Sequence, residues 1–336
     1  MAVNKRIFYA AQAVAIVPTT GSALIAATHV VKGAQSVGMT STFTLEQVFE
    51  LGQLELYENI EEVADIEVTI EKVIDGEKLL FALASNNLCK TDLVAAVKNV
   101  SDVYVAIYDD GTSNATGLPR SVVMNSGMYI SNISYNYSVD GNATESITLV
   151  GSDRFWNATL TNTGATSAAG LYGSPATGFD TDTPASGVIR RAKVDILNST
   201  IPEIVLSQRD TNTGAKSKGA HIQSIAVSAD FGQEKIQELG RFGPYCRYAT
   251  FPIEVTCEFE VIATSGDLVN VSGTNGVGNL TNETIVIKDD AGTVLDLKTK
   301  NKLTSVAYSG GDTGGGNATV TYSYSNYNNL LVQGGG

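Results

Sequence analysis

The chain has 336 residues, 17% of them charged, 33 glycines and only 7 prolines, and its formal net charge is −13. That length accommodates two domains with a core of their own, so no disulfide or metal staple is required. The acidic balance and the lack of any long basic run argue against a simple nucleic-acid binder; Arg190-Arg191 and Lys216/Lys218 read as solvated loop charges.

In chain order, Lys5 and Arg6 precede an apolar stretch, Ile7 to Val17, then Pro18-Thr19-Thr20-Gly21 and a second apolar stretch, Ala23 to Ala27. Neither stretch reaches the ~20 residues needed to span a bilayer. Residues 1–34 are therefore read as an arm or strand that packs on a neighbour. Leu45 to Leu51 is read as a helical turn stopped by Gly52, where a C-cap needs positive φ. Ile66 to Ile74 alternates apolar and polar residues, as a half-buried strand does, with Glu67 and Glu71 on its polar face. Thr91-Asp92 caps a short helix running to Lys98. Tyr129–Tyr137 and Ser146–Val150 flank Val139-Asp140-Gly141-Asn142, a strong hairpin signal. The segment from Asn157 to Gly187 reads as a loop, and Val188 to Leu206 as extended chain crossing to the second half.

The second half repeats the first. Gln35-Ser36-Val37 returns 188 residues on as Gln223-Ser224-Ile225. At the same offset Phe43 returns as Phe231 and Tyr57 as Tyr245, and Val48 to Gly52 returns as Ile236 to Gly240. After one deletion, Ile66 to Thr69 is matched with Ile253 to Thr256, so Glu254 and Glu258 form a second acidic strand face. Val105 to Asp110 is matched with Ile285 to Asp290, and Asn142-Ala143-Thr144 with Asn317-Ala318-Thr319. Collinear blocks of this kind imply an internal duplication. The resulting division is an arm at 1–34, a first β domain at 35–156, a connector at 157–222 and a second β domain at 223–336. Gln233 to Leu239 is read, like its counterpart, as a helical turn.

Chemistry is sparse. His29 and His221 are the two histidines, which makes a zinc site or a histidine-based triad improbable. No nucleophile elbow or phosphate loop occurs. Cys89, Cys246 and Cys257 form no framework, although Cys246 and Cys257 could face each other across a hairpin. No catalytic residue, cofactor or metal is expected.

The segments Phe231 to Tyr245, Phe251 to Thr256, and Ile133 to Asn142 running into Glu145 to Leu149 resemble phage tail tube proteins. The resemblance implies a mainly β chain with two tandem sandwich or barrel domains and short flanking helices. It further implies subunits that join sheets around a ring, usually of six domains, and rings that stack into a DNA-conducting tube in the virion, assembled in the host cytoplasm. Similar folds with similar edges favour three chains per ring over six. Other tail proteins are the remaining partners, DNA passes without specific binding, and no membrane is involved. Glu67, Glu71, Glu254 and Glu258 are candidates for the lumen wall. Glu50, Gly52 and Tyr57, with Glu238, Gly240 and Tyr245, are candidates for a loop between rings or subunits. The alternative is a secreted or surface-exposed β-rich adhesive protein, suggested by the Asn/Thr/Gly-rich composition.

Overall fold

A computed structural model describes residues 12–19, 29–85, 90–108, 121–156, 187–191, 194–198, 221–263, 282–310 and 316–334. The first part contains strands β1 (Gln12–Pro18), β2 (Ala34–Thr42), β3 (Leu45–Phe49), β4 (Leu56–Glu61) and β5 (Asp65–Val73). Helix α1 (Leu80–Ala84), β6 (Lys90–Asp92), helix α2 (Leu93–Ala96), β7 (Val100–Ile107), β8 (Ser121–Ser138), β9 (Thr144–Gly151) and β10 (Asp153–Trp156) follow. The rest comprises β11 (Val194–Asn198), β12 (His221–Asp230), β13 (Gln233–Ile236), β14 (Cys246–Ala249), β15 (Glu254–Ile262) and β16 (Ile285–Asp289). It ends with β17 (Val294–Asp296), β18 (Lys302–Ser309), β19 (Thr319–Tyr327) and β20 (Leu331–Gln333). The chain is mainly β, as read from its alternating segments, and among the described residues no sheet closes into a barrel.

One antiparallel sheet dominates, in the order β18-β19-β15-β12-β8-β9-β5-β2. Period-two alternation produces its single apolar face. Val68, Ile70, Ile133, Tyr135, Ile147, Leu149, Val227, Val255, Phe259 and Tyr322 are all buried on that side. The N-terminal stretch of β8 leaves this path and pairs with β7 and β10, and β7 pairs with β1. This layer lies over β2 and β5. Arg154 in β10 donates to Ser41 Oγ at 2.6 Å, to the Thr40 carbonyl at 3.2 Å and to the Glu67 carbonyl at 3.3 Å. β1 is thus paired within its own chain and buried through Ala13 to Val17, which replaces the expectation of an arm on a neighbour. Residues 1–11 lie outside the described residues.

A second sheet runs β11-β16-β17-β20-β6. It mixes strands from before, within and after the connector. Residues 187–191 attach to the first half: Ala143 N donates to Ile189 O and Ile189 N to Ile74 O, both at 2.9 Å. The connector then supplies β11 to β16, so its described parts are extended, as expected. Asp92 caps α2 by accepting from Val94 N at 3.2 Å, also as expected.

Two expectations fail. Leu45–Leu51 and Gln233–Leu239 are not helical turns but the first arms of hairpins β3–β4 and β13–β14. Gly52 and Gly240 do take positive φ, at 90° and 86°, but in the hairpin tips. The pairing of Cys246 with Cys257, left open by the sequence, does not occur: both are free thiols, the reading favoured there, and burial pushes the Cys257 thiol up.

Candidate assembly surfaces

The halves of the large sheet follow the same strand order, β8-β9-β5-β2 and β18-β19-β15-β12, and meet where β12 pairs with β8. Each half carries two bulges at matching places. One lies between Ala34 and Ser36 on β2 and between Ile222 and Ser224 on β12. The other lies between Ile130 and Asn132 on β8 and between Leu303 and Ser305 on β18. A bulge fixes register, because the extra residue can sit at only one position of the ladder.

Register then corrects one sequence match. Thr40 faces Glu67, whereas Ser228, in the corresponding place, faces Thr256. Glu67 therefore corresponds to Thr256, Asp65 to Glu254, and Glu71 to Glu260. The match of Ile66–Thr69 with Ile253–Thr256 is displaced by two residues, a slip that a period-two pattern tolerates because it keeps every side chain on its face. The Asn142-Ala143-Thr144 match holds: Ile74 N bonds to Ala143 O, and Ala263 N to Ala318 O. Val105–Ile107 and Ile285–Ile287 do not occupy corresponding places, since β7 joins the large sheet and β16 the second one; Asp109 and Asp110 of that match lie outside the described residues.

The polar face of the large sheet carries Glu67 and Glu71 from β5 and Glu254, Glu258 and Glu260 from β15. The four predicted carboxylates thus share one face. Between them lie small polar side chains, several bonded across strands: Ser228 to Thr256 at 2.7 Å, and Ser323 to Glu258 and Ser224 to Glu260 at 3.2 Å. Asp230, at the end of β12, joins this face; the alternation of His221–Asp230 was the signal for it.

The hairpins are the second surface. Their bases close alike, with Glu62 N bonded to Thr44 O at 3.0 Å and Thr250 N to Gly232 O at 3.2 Å. Leu51, Leu54, Leu239 and Phe242 are exposed at the tips, with Tyr57 and Tyr245 exposed on the second arms. The predicted residues Glu50, Gly52 and Tyr57 therefore fall on one hairpin, and Glu238, Gly240 and Tyr245 on the other.

The hairpins differ in what they rest on. β13–β14 lies against the first half of the chain. Arg247, 8% exposed, donates to Asp65 Oδ1 at 2.9 Å and to Gly151 O at 3.0 Å, and Lys235 pairs with Asp65 as well. Partial burial pushes the Asp65 carboxyl up, but hydrogen bonds from Lys235 and Arg247 and their charges outweigh it and hold the carboxyl below its ordinary value. A depressed folded value means that this contribution is present above the unfolded value and is lost as pH falls through the folded one. Amide exchange in 233–249, corrected for intrinsic rate, is thus expected to accelerate as pH drops below the ordinary aspartate range. Asp65→Asn should remove that dependence.

Nothing in these surfaces resembles a reaction centre. Among the described residues no cluster of three His, Cys, Asp or Glu is placed to hold a metal. No helix among them is long and apolar enough to cross a membrane.

A mainly β chain with an open-edged sheet and projecting hairpins has the form of an assembly subunit. Residues 12–150 match the family described as Phi812 tail tube protein. That match covers less than half of the chain, and it supports reading the protein as a structural component of a phage tail. No curated protein matches the chain. Among solved structures, it is similar to a chain of the cryo-EM structure of the anti-feeding prophage (AFP) baseplate, 6-fold symmetrised. That match has 11% identity and a TM-score of 0.33, and covers 46% of this chain and 97% of the other. So low a score locates no residue.

Proposed function

We propose that this protein is the duplicated subunit of a tail tube, non-enzymatic, with three chains closing a ring of six tube domains and rings stacking around a DNA channel in the virion. The observation that carries this reading is the head-to-tail joint inside the chain. The β2-type edge of the second half, β12, pairs with the β8-type edge of the first half. Among the described residues this leaves one unpaired edge of each type, β2 and β18. Unlike edges that can pair make heterologous contacts, which close into a ring when the rotation per joint allows it. Free edges of this length are a liability in a monomer, and closure removes them.

The acidic polar face is the proposed channel wall, with Glu67, Glu71, Glu254 and Glu258 among its charges. Carboxylates outnumber cations on this face, which also carries Lys302 of β18, and the side chains between them are small hydroxyls, so DNA phosphates are repelled on balance and slide with little counterion displacement. The apolar hairpin tips are the proposed contacts to the next ring or other tail proteins, since exposed apolar groups clustered on a projection mark an interaction site.

Negative-stain microscopy of the purified protein is expected to show rings or tubes with a central channel. Mass photometry should find particles of three times the 35.3 kDa chain. Six chains per ring would overturn the stoichiometry. An elongated monomer at every concentration would overturn the tube reading and favour an adhesive role.

A further inference from the structure

The internal joint can be transposed, residue by residue, onto the two free edges. Val227 faces Tyr135, and Asp230 faces Asn132. By the offsets that the bulges fix, Val227 corresponds to Met39 and Tyr135 to Tyr308, while Asp230 corresponds to Thr42 and Asn132 to Ser305. Phe231 N donates to Ser131 O at 2.8 Å. The corresponding pair is Phe43 N and Thr304 O. Exposure agrees with an unfilled joint: Phe231 is wholly buried but Phe43 is 71% exposed, and Tyr135 is buried but Tyr308 is 60% exposed.

One part does not transpose. Arg247, Lys235 and Asp65 clamp the internal joint. Their counterparts on the free edges are Asn59, Gln47 and Glu254. Both cations are gone and the carboxylate remains. The hairpin that would rest on it holds Glu46, Glu50, Glu55, Glu58 and Glu61 between residues 45 and 61, with no Lys or Arg. Its counterpart at 233–249 holds Glu234 and Glu238 against Lys235, Arg241 and Arg247.

We propose that a second copy of this chain docks its β18 edge on β2 in the register Met39 opposite Tyr308, and that this joint lacks the internal clamp and is opposed by carboxylate repulsion. The proposal rests on the ring reading above. It makes the chain-to-chain joint the weak one, so subunits stay apart until concentration, salt or a growing tube end brings them together. Repulsion between partly exposed carboxylates is screened within about 10 Å at 0.1 M salt, so ring formation should improve as salt rises.

The test is to restore the clamp. Asn59→Arg places a guanidinium where Arg247 sits in the internal joint. In the full-length protein at low salt, this variant is expected to form rings at a concentration about tenfold lower than wild type, as one charge-assisted pair per joint allows. Adding Glu254→Gln should abolish the gain, while Glu254→Gln alone should ease assembly slightly. Rings in wild type with no gain in Asn59→Arg, its melt unchanged, would overturn the missing clamp and leave the tube reading intact. A gain that survives Glu254→Gln would overturn the assigned partner. Absence of rings in wild type at every salt and concentration would overturn the tube reading and this joint together.

Discussion

Phe43→Ser is expected to abolish ring formation while leaving the monomer folded. Phe43 stands just past β2, 71% exposed in a single chain. Its counterpart Phe231 is wholly buried and stacks at 6.4 Å from Phe81 in a tilted arrangement. Fully burying a phenylalanine contributes about 1.5–3 kcal/mol. In a three-chain ring the loss recurs at three joints. The ring then weakens by roughly 4.5–9 kcal/mol, about a thousandfold or more in its formation constant. An exposed side chain changes monomer stability by only about 0.5 kcal/mol when replaced. Phe231→Ser should behave oppositely, costing roughly 3–5 kcal/mol of chain stability because it empties a filled site. Mass photometry beside a urea melt separates the two effects. A Phe43→Ser protein that forms rings at the wild-type concentration would refute the proposed joint.

Sequence patterning located the middle strands of the first half of the large sheet, because one face of it is buried and burial enforces alternation. Ile66–Ile74, Tyr129–Tyr137 and Ser146–Val150 are legible for that reason. The hairpins were misread for the converse reason. Leu45–Phe49 is largely exposed on both faces, so nothing imposed a period of two on it. Its Leu, Glu and Gln residues favour helix, and pairing with β4 overrode that preference. Helix α1 was missed because Leu79 to Ala84 is buried all round and carries no polar stripe to reveal its period.

The acidic face was partly legible and partly not. Alternation assigns Glu67 and Glu254 each to a strand face, but cannot say that β5 and β15 lie in one sheet. That follows from the β12–β8 pairing, a contact between residues roughly ninety apart in sequence. The order β18-β19-β15-β12-β8-β9-β5-β2 then sets both carboxylate rows on a single wall. Equally, the sequence repeat suggested two tandem domains but not that the sheets join strands of both halves, β12 to β8 and β20 to β6. The repeat describes corresponding parts; the hydrogen bonds unite them in one body.

Glu145→Ala is expected to be among the most destabilising single changes in the first half. Glu145 is wholly buried on β9. Its Oε2 accepts from Leu80 N at 2.6 Å, and its Oε1 from Phe81 N at 3.0 Å and from Tyr135 OH at 2.9 Å. A carboxylate from the sheet thus supplies the acceptors that the start of α1 lacks, since Leu79 offers no side-chain cap. Alanine strands three buried donors, each costing about 1–3 kcal/mol. Relief of carboxylate desolvation offsets part of that, leaving a net loss of about 3–5 kcal/mol. Burial pushes the Glu145 carboxyl up, more than Lys72 and the Phe81, Leu80 and Tyr135 hydrogen bonds pull it down. A raised folded value means that the folded protein takes up this proton at a higher pH than the unfolded chain does. The stability that Glu145 confers is therefore fully present below the ordinary glutamate range and shrinks as pH rises through the folded value. Urea melts of wild type and Glu145→Ala across that range should show the gap narrowing as pH rises. A gap below about 1 kcal/mol throughout would mean that α1 does not depend on this carboxylate.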